Sequence, residues 1–155
     1  MNLDQCIERI SVTHLQDFVR EVIDKEYKDQ EETKLKDAVE VTKWLIFLLE
    51  NDKILSEGTQ TLATDLIITA ALLHNVTYSY KKDPFYKLFM TRDLINDINS
   101  KREIQLPEQY IDAICQSIET QLGKDNECKL LTPNPNTPGN HVALACAIYY
   151  KAMKK

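Results

Sequence analysis

Hydrophobic residues recur at helical spacing along most of the chain, and one apolar stretch dominates the pattern. Residues 66–73 (LIITAALL) contain a single polar residue, Thr69, and are followed directly by His74 and Asn75. A run that is apolar on nearly every side is typical of a buried helix. We therefore predict a central helix with His74 and Asn75 at its C-terminal end, at the edge of the core.

The flanking segments predict amphipathic helices that pack around this central one. The predicted ranges are 3–28, 34–51, 83 or 84 to 95, 107–122 and 141–153. We expect Asp4 to cap the first of these and Gly123 to end the helix that begins near Pro107. Residues 56–59 predict a break before the central helix. Residues 124–140 are rich in proline and predict a long irregular loop before the last helix, either a lid or a flap.

This pattern favours an all-α fold. Few segments alternate with period two, and the 155 residues include only three glycines and five prolines. The length is that of one domain with a sizeable core, so residues 1–155 are expected to fold together, with an N-terminal helix within residues 1–30.

Charge and cysteine content narrow the class of protein further. A formal net charge of −5 argues against a general nucleic-acid binder, which carries a basic surface. No run of about eighteen apolar residues predicts a membrane span, and the first residues do not resemble a signal peptide. The four cysteines are widely spaced, which predicts reduced thiols in a cytoplasmic protein. Three of them are expected to pack as small apolar residues: Cys6, Cys115 and Cys146.

Four short motifs follow one another in a suggestive order. They are Asp37 four residues before Val41, residues 70–75 (AALLHN), residues 118–123 (IETQLG) and residues 142–146 (VALAC). This order resembles the HD-domain phosphohydrolase superfamily, particularly its small single-domain members in phages and bacteria. The corresponding family motifs are a histidine four positions before a valine, AALLHD, Ile-x-x-His-x-Gly and Val-x-Leu-Ala-Asp.

The resemblance implies a single-domain, HD-like helical bundle whose core spans residues 31–155. Members of the family hold a divalent metal with imidazoles and carboxylates, and the metal activates a water that attacks a phosphate ester. In this chain Asn75, Gln121 and Cys146 stand where the family has aspartate, histidine and aspartate. Neutral amides and a soft thiol are poor replacements for these ligands. The resemblance therefore implies no bound metal, no other cofactor and no catalytic residues.

Active members of the family accept nucleotides and phosphate esters, so the resemblance implies a nucleotide or another small phosphorylated ligand that is bound without turnover. A viral protein that sequesters a host signalling nucleotide fits this pattern. Tyrosines, including Tyr80 and Tyr149, are candidates to stack on a base, and lysines to meet a phosphate. The full set of candidate ligand-binding residues is His74, Asn75, Asp37, Gln121, Cys146, Tyr78, Lys81, Lys82, Tyr150 and Lys151.

Two other interpretations stay open. In the first, His74 and Asn75 only cap the central helix by hydrogen-bonding its free carbonyls, and the protein acts through a surface that binds a protein partner. In the second, Asp37, His74 and Cys146 hold zinc, or His74 acts as a metal-free general base, in a residual phosphohydrolase. Taken singly, the tyrosines fit core packing and the lysines a solvated face. Asp37 fits a surface carboxylate, and His14 fits a partly buried or surface histidine.

Overall fold

The computed structural model of the chain describes residues 1–28, 32–51, 61–76, 84–127 and 138–153. All regular elements within these ranges are helices, which confirms the predicted all-α class. The α-helices are α1 (Leu3–Glu8), α2 (Thr13–Glu26), α3 (Glu32–Asn51), α4 (Thr61–Leu73), α5 (Pro84–Ser100), α6 (Glu108–Glu127) and α7 (Pro138–Ala147), and α7 continues into a π-helical turn, Ile148–Met153.

Helix α4 is the centre of the bundle, as its apolar sequence predicts. It packs against α2, α3, α6 and α7, and every residue from Ile67 to Val76 is buried. Because neighbours cover it on all sides, α4 needs apolar residues around its whole circumference rather than along one stripe. His74 and Asn75 follow its last residue, and this also agrees with the prediction.

The N-terminal region differs from the prediction of one helix over residues 3–28, because α1 and α2 are separate. Asp65 on α4, which is buried, accepts hydrogen bonds from the backbone N–H of Ser11 at 3.0 Å and from its hydroxyl at 2.6 Å. Because the Ser11 N–H donates to this carboxylate, it does not take part in the backbone hydrogen bonds of a continuous helix. A partner 54 residues away in sequence thus ends the helix, and no local pattern encodes it.

The predicted N-cap of the first helix is also wrong by two positions. Asn2, not Asp4, caps α1 in a capping box, in which Asn2 accepts from the Gln5 N–H and the Gln5 side chain accepts from the Asn2 N–H. Asp4 lies in the first turn, where a negative charge is favourable to the helix dipole.

Gly123 does not end its helix. Helix α6 continues to Glu127, because an isolated glycine weakens a helix by about 1 kcal/mol relative to alanine without breaking it. Pro138 opens α7, at the first-turn position that suits proline. The predicted break at residues 56–59 and most of the predicted proline-rich loop, residues 128–137, lie outside the described residues.

Side-chain contacts hold α6 in position beside α5. The Asn99 amide donates to the Leu106 carbonyl at 3.1 Å and accepts from the Leu106 N–H at 2.8 Å. These two bonds bridge the connection between α5 and α6. Arg92 on α5 donates to Glu119 at 2.9 Å and to Asp112 at 2.7 Å, both on α6. Helix α6 packs in turn against α4 and α7, the two helices that carry the residues of interest.

The helices bear on two further predictions, the burial of the cysteines and the absence of a membrane span. Cys6, Cys115 and Cys146 are free thiols and buried, as expected, and burial raises the pKa of Cys115 to about 12. Within the described ranges, no helix has the length and apolar character needed to cross a membrane.

Candidate functional site

Side chains hydrogen-bond to the backbone groups at the C-terminal end of α4. His74 Nδ1 lies 2.6 Å from the carbonyl oxygen of Ala71, and the Tyr27 hydroxyl donates to the carbonyl of Leu72 at 2.8 Å. The same hydroxyl accepts from the backbone N–H of Asn75 at 3.3 Å. Since the last carbonyls of a helix have no partner within it, these bonds satisfy groups that burial would otherwise leave unpaired.

The bonds of His74 define its proton positions. A carbonyl can only accept, so Nδ1 carries the proton that is donated to Ala71. In a neutral imidazole Nε2 is then an acceptor, and it lies 2.9 Å from the hydroxyl of Tyr150, which donates to it. Burial lowers the pKa of His74 to about 4, against the opposing effects of the Ala71 carbonyl and the Asp37 charge. His74 is therefore neutral at physiological pH.

Asn75 connects three parts of the chain. Its side-chain nitrogen donates to the Lys34 carbonyl at 3.1 Å and to the Tyr150 hydroxyl at 3.1 Å. Tyr150 thus accepts one proton from Asn75 and gives its own to His74. Burial is the main cause that raises the pKa of Tyr150 well above its ordinary value.

Asp37 is buried, with 3% of its surface exposed, so the expectation of an ordinary surface carboxylate is wrong. The Tyr149 hydroxyl donates to its Oδ1 at 2.8 Å. Partial burial and this bond together raise the pKa of Tyr149 to about 12. The position one helical turn before Val41 faces inward because α7 and the π turn pack on that side of α3.

The π turn brings two successive tyrosines to one place. Tyr149 reaches Asp37 and Tyr150 reaches His74, with their ring centroids 5.1 Å apart. A π-helix bonds residue i to i+5, so adjacent residues are separated by a smaller rotation than in an α-helix, and such turns occur often at functional sites. We call Asp37, His74, Asn75, Tyr149 and Tyr150 the polar cluster.

Of the other predicted site residues, the structure describes Cys146, Gln121 and Lys151. Cys146 is buried on α7, close to Tyr150. Gln121 is buried on α6, which packs against both α4 and α7. Lys151 is exposed, directly after Tyr150. Four candidates lie outside the described residues: Tyr78, Tyr80, Lys81 and Lys82.

Sequence reasoning missed Tyr27 and gave Tyr149 a different role from the one seen here. Tyr27 occurs in a charged stretch, DKEYKDQEE, and no periodic pattern marks it as a partner of the α4 terminus. Tyr149 was expected only as a stacking residue, whereas its hydroxyl bonds to Asp37. The two adjacent tyrosines in an otherwise apolar helix were the sequence feature that could have indicated this polar role. His14, expected to be partly buried or at the surface, is exposed.

The described residues contain no group of three or more histidine, cysteine, aspartate or glutamate side chains arranged to hold a metal ion. The Nε2 lone pair of His74, which a metal would need, accepts the Tyr150 proton.

The described residues line cavities at two places in the bundle. One of about 410 Å³ is lined by residues of α5 and α6, including Arg92 and Asp112. The other, of about 370 Å³, lies between α2 and α3 and is lined in part by Ile23, Tyr27 and Leu35. Tyr27 joins this second cavity to the polar cluster, because its hydroxyl contacts the backbone of Asn75.

No family model, no curated protein and no solved structure matches the chain. The HD-domain resemblance therefore stays a prediction, carried by the motifs alone. The geometry defines the class only as an all-α helical protein with a buried polar cluster at the end of its central helix.

Proposed function

We propose that this protein is a non-catalytic, HD-like helical protein that binds a nucleotide or a related phosphorylated small molecule at the polar cluster and does not cleave it. A sequestering role fits this proposal, for example a viral protein that withdraws a host signalling nucleotide from solution. Binding without turnover is what such a role requires.

The observation that carries the proposal is the polar cluster itself. Side chains from α3, the end of α4 and the π turn converge there, in a bundle whose interior is otherwise largely apolar. Burying polar groups costs free energy unless they are hydrogen-bonded, and a buried charged group can often be replaced by apolar residues without loss of stability. A cluster of this kind is more simply explained by a ligand that it recognises.

The state of His74 supports binding over catalysis. A general base works best when its pKa is near the working pH, and the pKa of His74 is about 4. Both ring nitrogens are engaged, Nδ1 with Ala71 and Nε2 with Tyr150. An imidazole in this state neither abstracts a proton readily at neutral pH nor offers a lone pair to a metal without first losing Tyr150.

The surroundings of the cluster offer complementary chemistry for the rest of a nucleotide. The Tyr149 and Tyr150 side chains are half-buried, and the aromatic ring of a tyrosine can stack on a base. The cavity bordered by Ile23, Tyr27 and Leu35 has the volume of a small-ligand site. Lys151 is exposed beside the cluster and is available for a phosphate.

A thermal-shift screen of mono-, di- and cyclic nucleotides tests the proposal. A ligand at a hundredfold its dissociation constant stabilises the folded state by about 2.7 kcal/mol, which is readily detected as an increase in Tm. Chromatography of the ligand released after denaturation should recover it intact. Recovery of a cleaved product would instead identify an enzyme.

His74→Ala should reduce the ligand-induced increase in Tm, because it removes a side chain of the cluster. His14→Ala is the matched control, since His14 is an exposed histidine on α2, and it should leave the increase unchanged. If no nucleotide changes the Tm of the wild-type protein, the proposal is wrong.

A protein-interaction module is the second candidate, and one observation favours it. Phe47 on α3 is 53% exposed and packs edge-on against Trp44 at 5.8 Å, which leaves an aromatic pair at the surface. In this alternative the His74 and Tyr27 bonds serve only to close the end of α4. It predicts that His74→Ala lowers the Tm while no nucleotide raises it.

A further inference from the structure

We propose that the cavity between α2 and α3 receives the base of the nucleotide, and that the charged residues along its edge select guanine. This inference rests on the proposed function, and it names the base together with the part of the chain that recognises it. It follows from the composition of the walls and of the edge of the cavity.

The walls of the cavity suit the faces of a nucleobase. Ile23 and Tyr27, at the end of α2, and Leu35 on α3 line a volume of about 370 Å³. Ile23 and Tyr27 are buried, and Leu35 is half-buried. Small-ligand pockets of about 300–1,000 Å³ combine largely apolar walls with a few polar groups. Tyr27 also contributes an aromatic side chain, and such side chains stack on bases.

The edge of the cavity carries charged side chains of both signs. Asp24, Lys28 and Glu32 line the same cavity and are exposed. The two carboxylates only accept hydrogen bonds, and the ammonium group only donates them. Because these side chains are exposed, they can turn towards a ligand without breaking contacts of the core. The cavity therefore presents two accepting groups and one donating group to the polar edge of a bound base.

Guanine has the base edge that matches this composition. Its Watson–Crick edge carries two donors, N1–H and the amino group at N2, and one acceptor, O6. Adenine and cytosine carry one amino donor each on that edge, and uracil has one N–H between two carbonyl acceptors. Guanine alone among the four engages both carboxylates and Lys28 at once. In the other bases a lone pair would face Asp24 or Glu32, which is unfavourable.

Two contacts place the cavity next to the polar cluster. The Tyr27 hydroxyl accepts from the backbone N–H of Asn75 at 3.3 Å. The Asn75 side chain donates to the carbonyl of Lys34, the residue before Leu35, at 3.1 Å. Residues of α3 and from the end of α2 thus connect the walls of the cavity to the cluster. A base in the cavity leaves the sugar and phosphate of the same nucleotide free to extend towards the cluster.

Isothermal titration calorimetry with nucleoside 5′-monophosphates tests the choice of base. The probes are GMP, IMP, AMP, CMP and UMP, which carry the same phosphate. We expect GMP to bind most tightly. IMP lacks the amino group at N2 and should bind about tenfold more weakly, and AMP about tenfold to a hundredfold more weakly, because each loses hydrogen bonds to charged groups.

The double variant Asp24→Asn/Glu32→Gln tests whether these carboxylates make the selection. It keeps the size of both side chains and removes their charges, so the affinity for GMP should fall about tenfold to a hundredfold and the preference over AMP should shrink. Both positions are exposed, so the Tm should stay near that of the wild type. The matched control is Glu8→Gln/Asp17→Asn, two exposed positions away from the cavity lining, and it should bind GMP as the wild type does.

The outcomes separate this inference from the proposed function. Equal affinity for GMP and AMP, preference for another base, or unchanged GMP binding in the Asp24→Asn/Glu32→Gln variant overturns the guanine assignment and leaves nucleotide binding standing. If none of the five nucleotides binds and the wider thermal-shift screen also finds no ligand, both proposals fail.

Discussion

The hydroxyl of Tyr150 donates to Nε2 of His74 across 2.9 Å, and this bond joins the π turn to the end of the central helix. The Ala71 carbonyl places the proton on Nδ1 and burial keeps the imidazole neutral, so Nε2 accepts the Tyr150 proton. The bond to Tyr150 also explains why the candidate site differs from that of a metal-dependent hydrolase, in which the imidazole must offer its lone pair to a metal.

The neutral state of His74 predicts a loss of stability in acid. Its pKa is about 4 in the folded protein and near 6.5 when unperturbed, so below pH 6.5 the unfolded state binds the proton more readily. The stabilisation is therefore complete above about pH 6.5 and is lost as the pH falls towards 4, by up to about 3 kcal/mol. Urea unfolding at pH 7 and pH 4.5 measures this change.

His74→Gln separates this effect from the titration of carboxylates in the same range. The variant should lose less stability between pH 7 and pH 4.5 than the wild type, by about 2–3 kcal/mol. His14→Gln should behave as the wild type does, because His14 is exposed. An unchanged pH dependence in His74→Gln would contradict the assignment of a neutral, buried imidazole.

Tyr27→Phe should destabilise the protein by about 1–3 kcal/mol, because it leaves the buried carbonyl of Leu72 without its donor. Chemical denaturation at pH 7 measures the change. Tyr110→Phe, at a half-buried position on α6, is the matched control and should cost less. Equal effects of the two substitutions would mean that the bond to Leu72 contributes little.

Asp65→Ala should destabilise the protein by roughly 1–3 kcal/mol and loosen the junction between α1 and α2. The substitution removes the acceptor of both Ser11 bonds, one of them from a backbone N–H. Hydrogen exchange at the Ser11 amide should accelerate in the variant. Asp17→Ala, on the exposed face of α2, should leave that exchange rate unchanged; the same acceleration in both would refute the assigned role.

Added divalent metal should not stabilise the protein. Zinc or manganese would have to displace Tyr150 from His74, and the described residues offer no cluster of three suitable ligands. We expect no increase in Tm with either metal, and less than about a tenth of an equivalent per chain by elemental analysis after purification without chelator. One equivalent of bound metal, whose affinity falls in His74→Ala, would overturn this prediction and favour residual hydrolysis.

Much of the helical framework was predictable from local patterns. The apolar run at residues 66–73 predicted a central buried helix that ends before His74, and α4 ends at Leu73. The spacing of apolar residues likewise predicted α3. These predictions succeeded because helix formation and burial depend on residues that lie within a few turns of one another.

Two of the errors have separate physical origins, which are competition from a distant partner and the tolerance of a helix for one unfavourable residue. Ser11 leaves the helical ladder because Asp65, far along the chain, accepts its protons. Gly123 remains in α6, a helix that packs against α4, α5 and α7. A local pattern contains neither influence, so the boundaries failed while the helices themselves were found.

The sequence by itself determined the all-α class, the central position of α4 and the candidate role of the residues that follow it, because these depend on the order of apolar and polar side chains. Only the tertiary structure decided that Asp37 is buried, that Tyr149 and Tyr150 reach the cluster from a π turn, and that His74 is neutral. Those properties arise from hydrogen bonds between groups as far as 112 residues apart, and such bonds form only once packing has excluded water and brought the partners together.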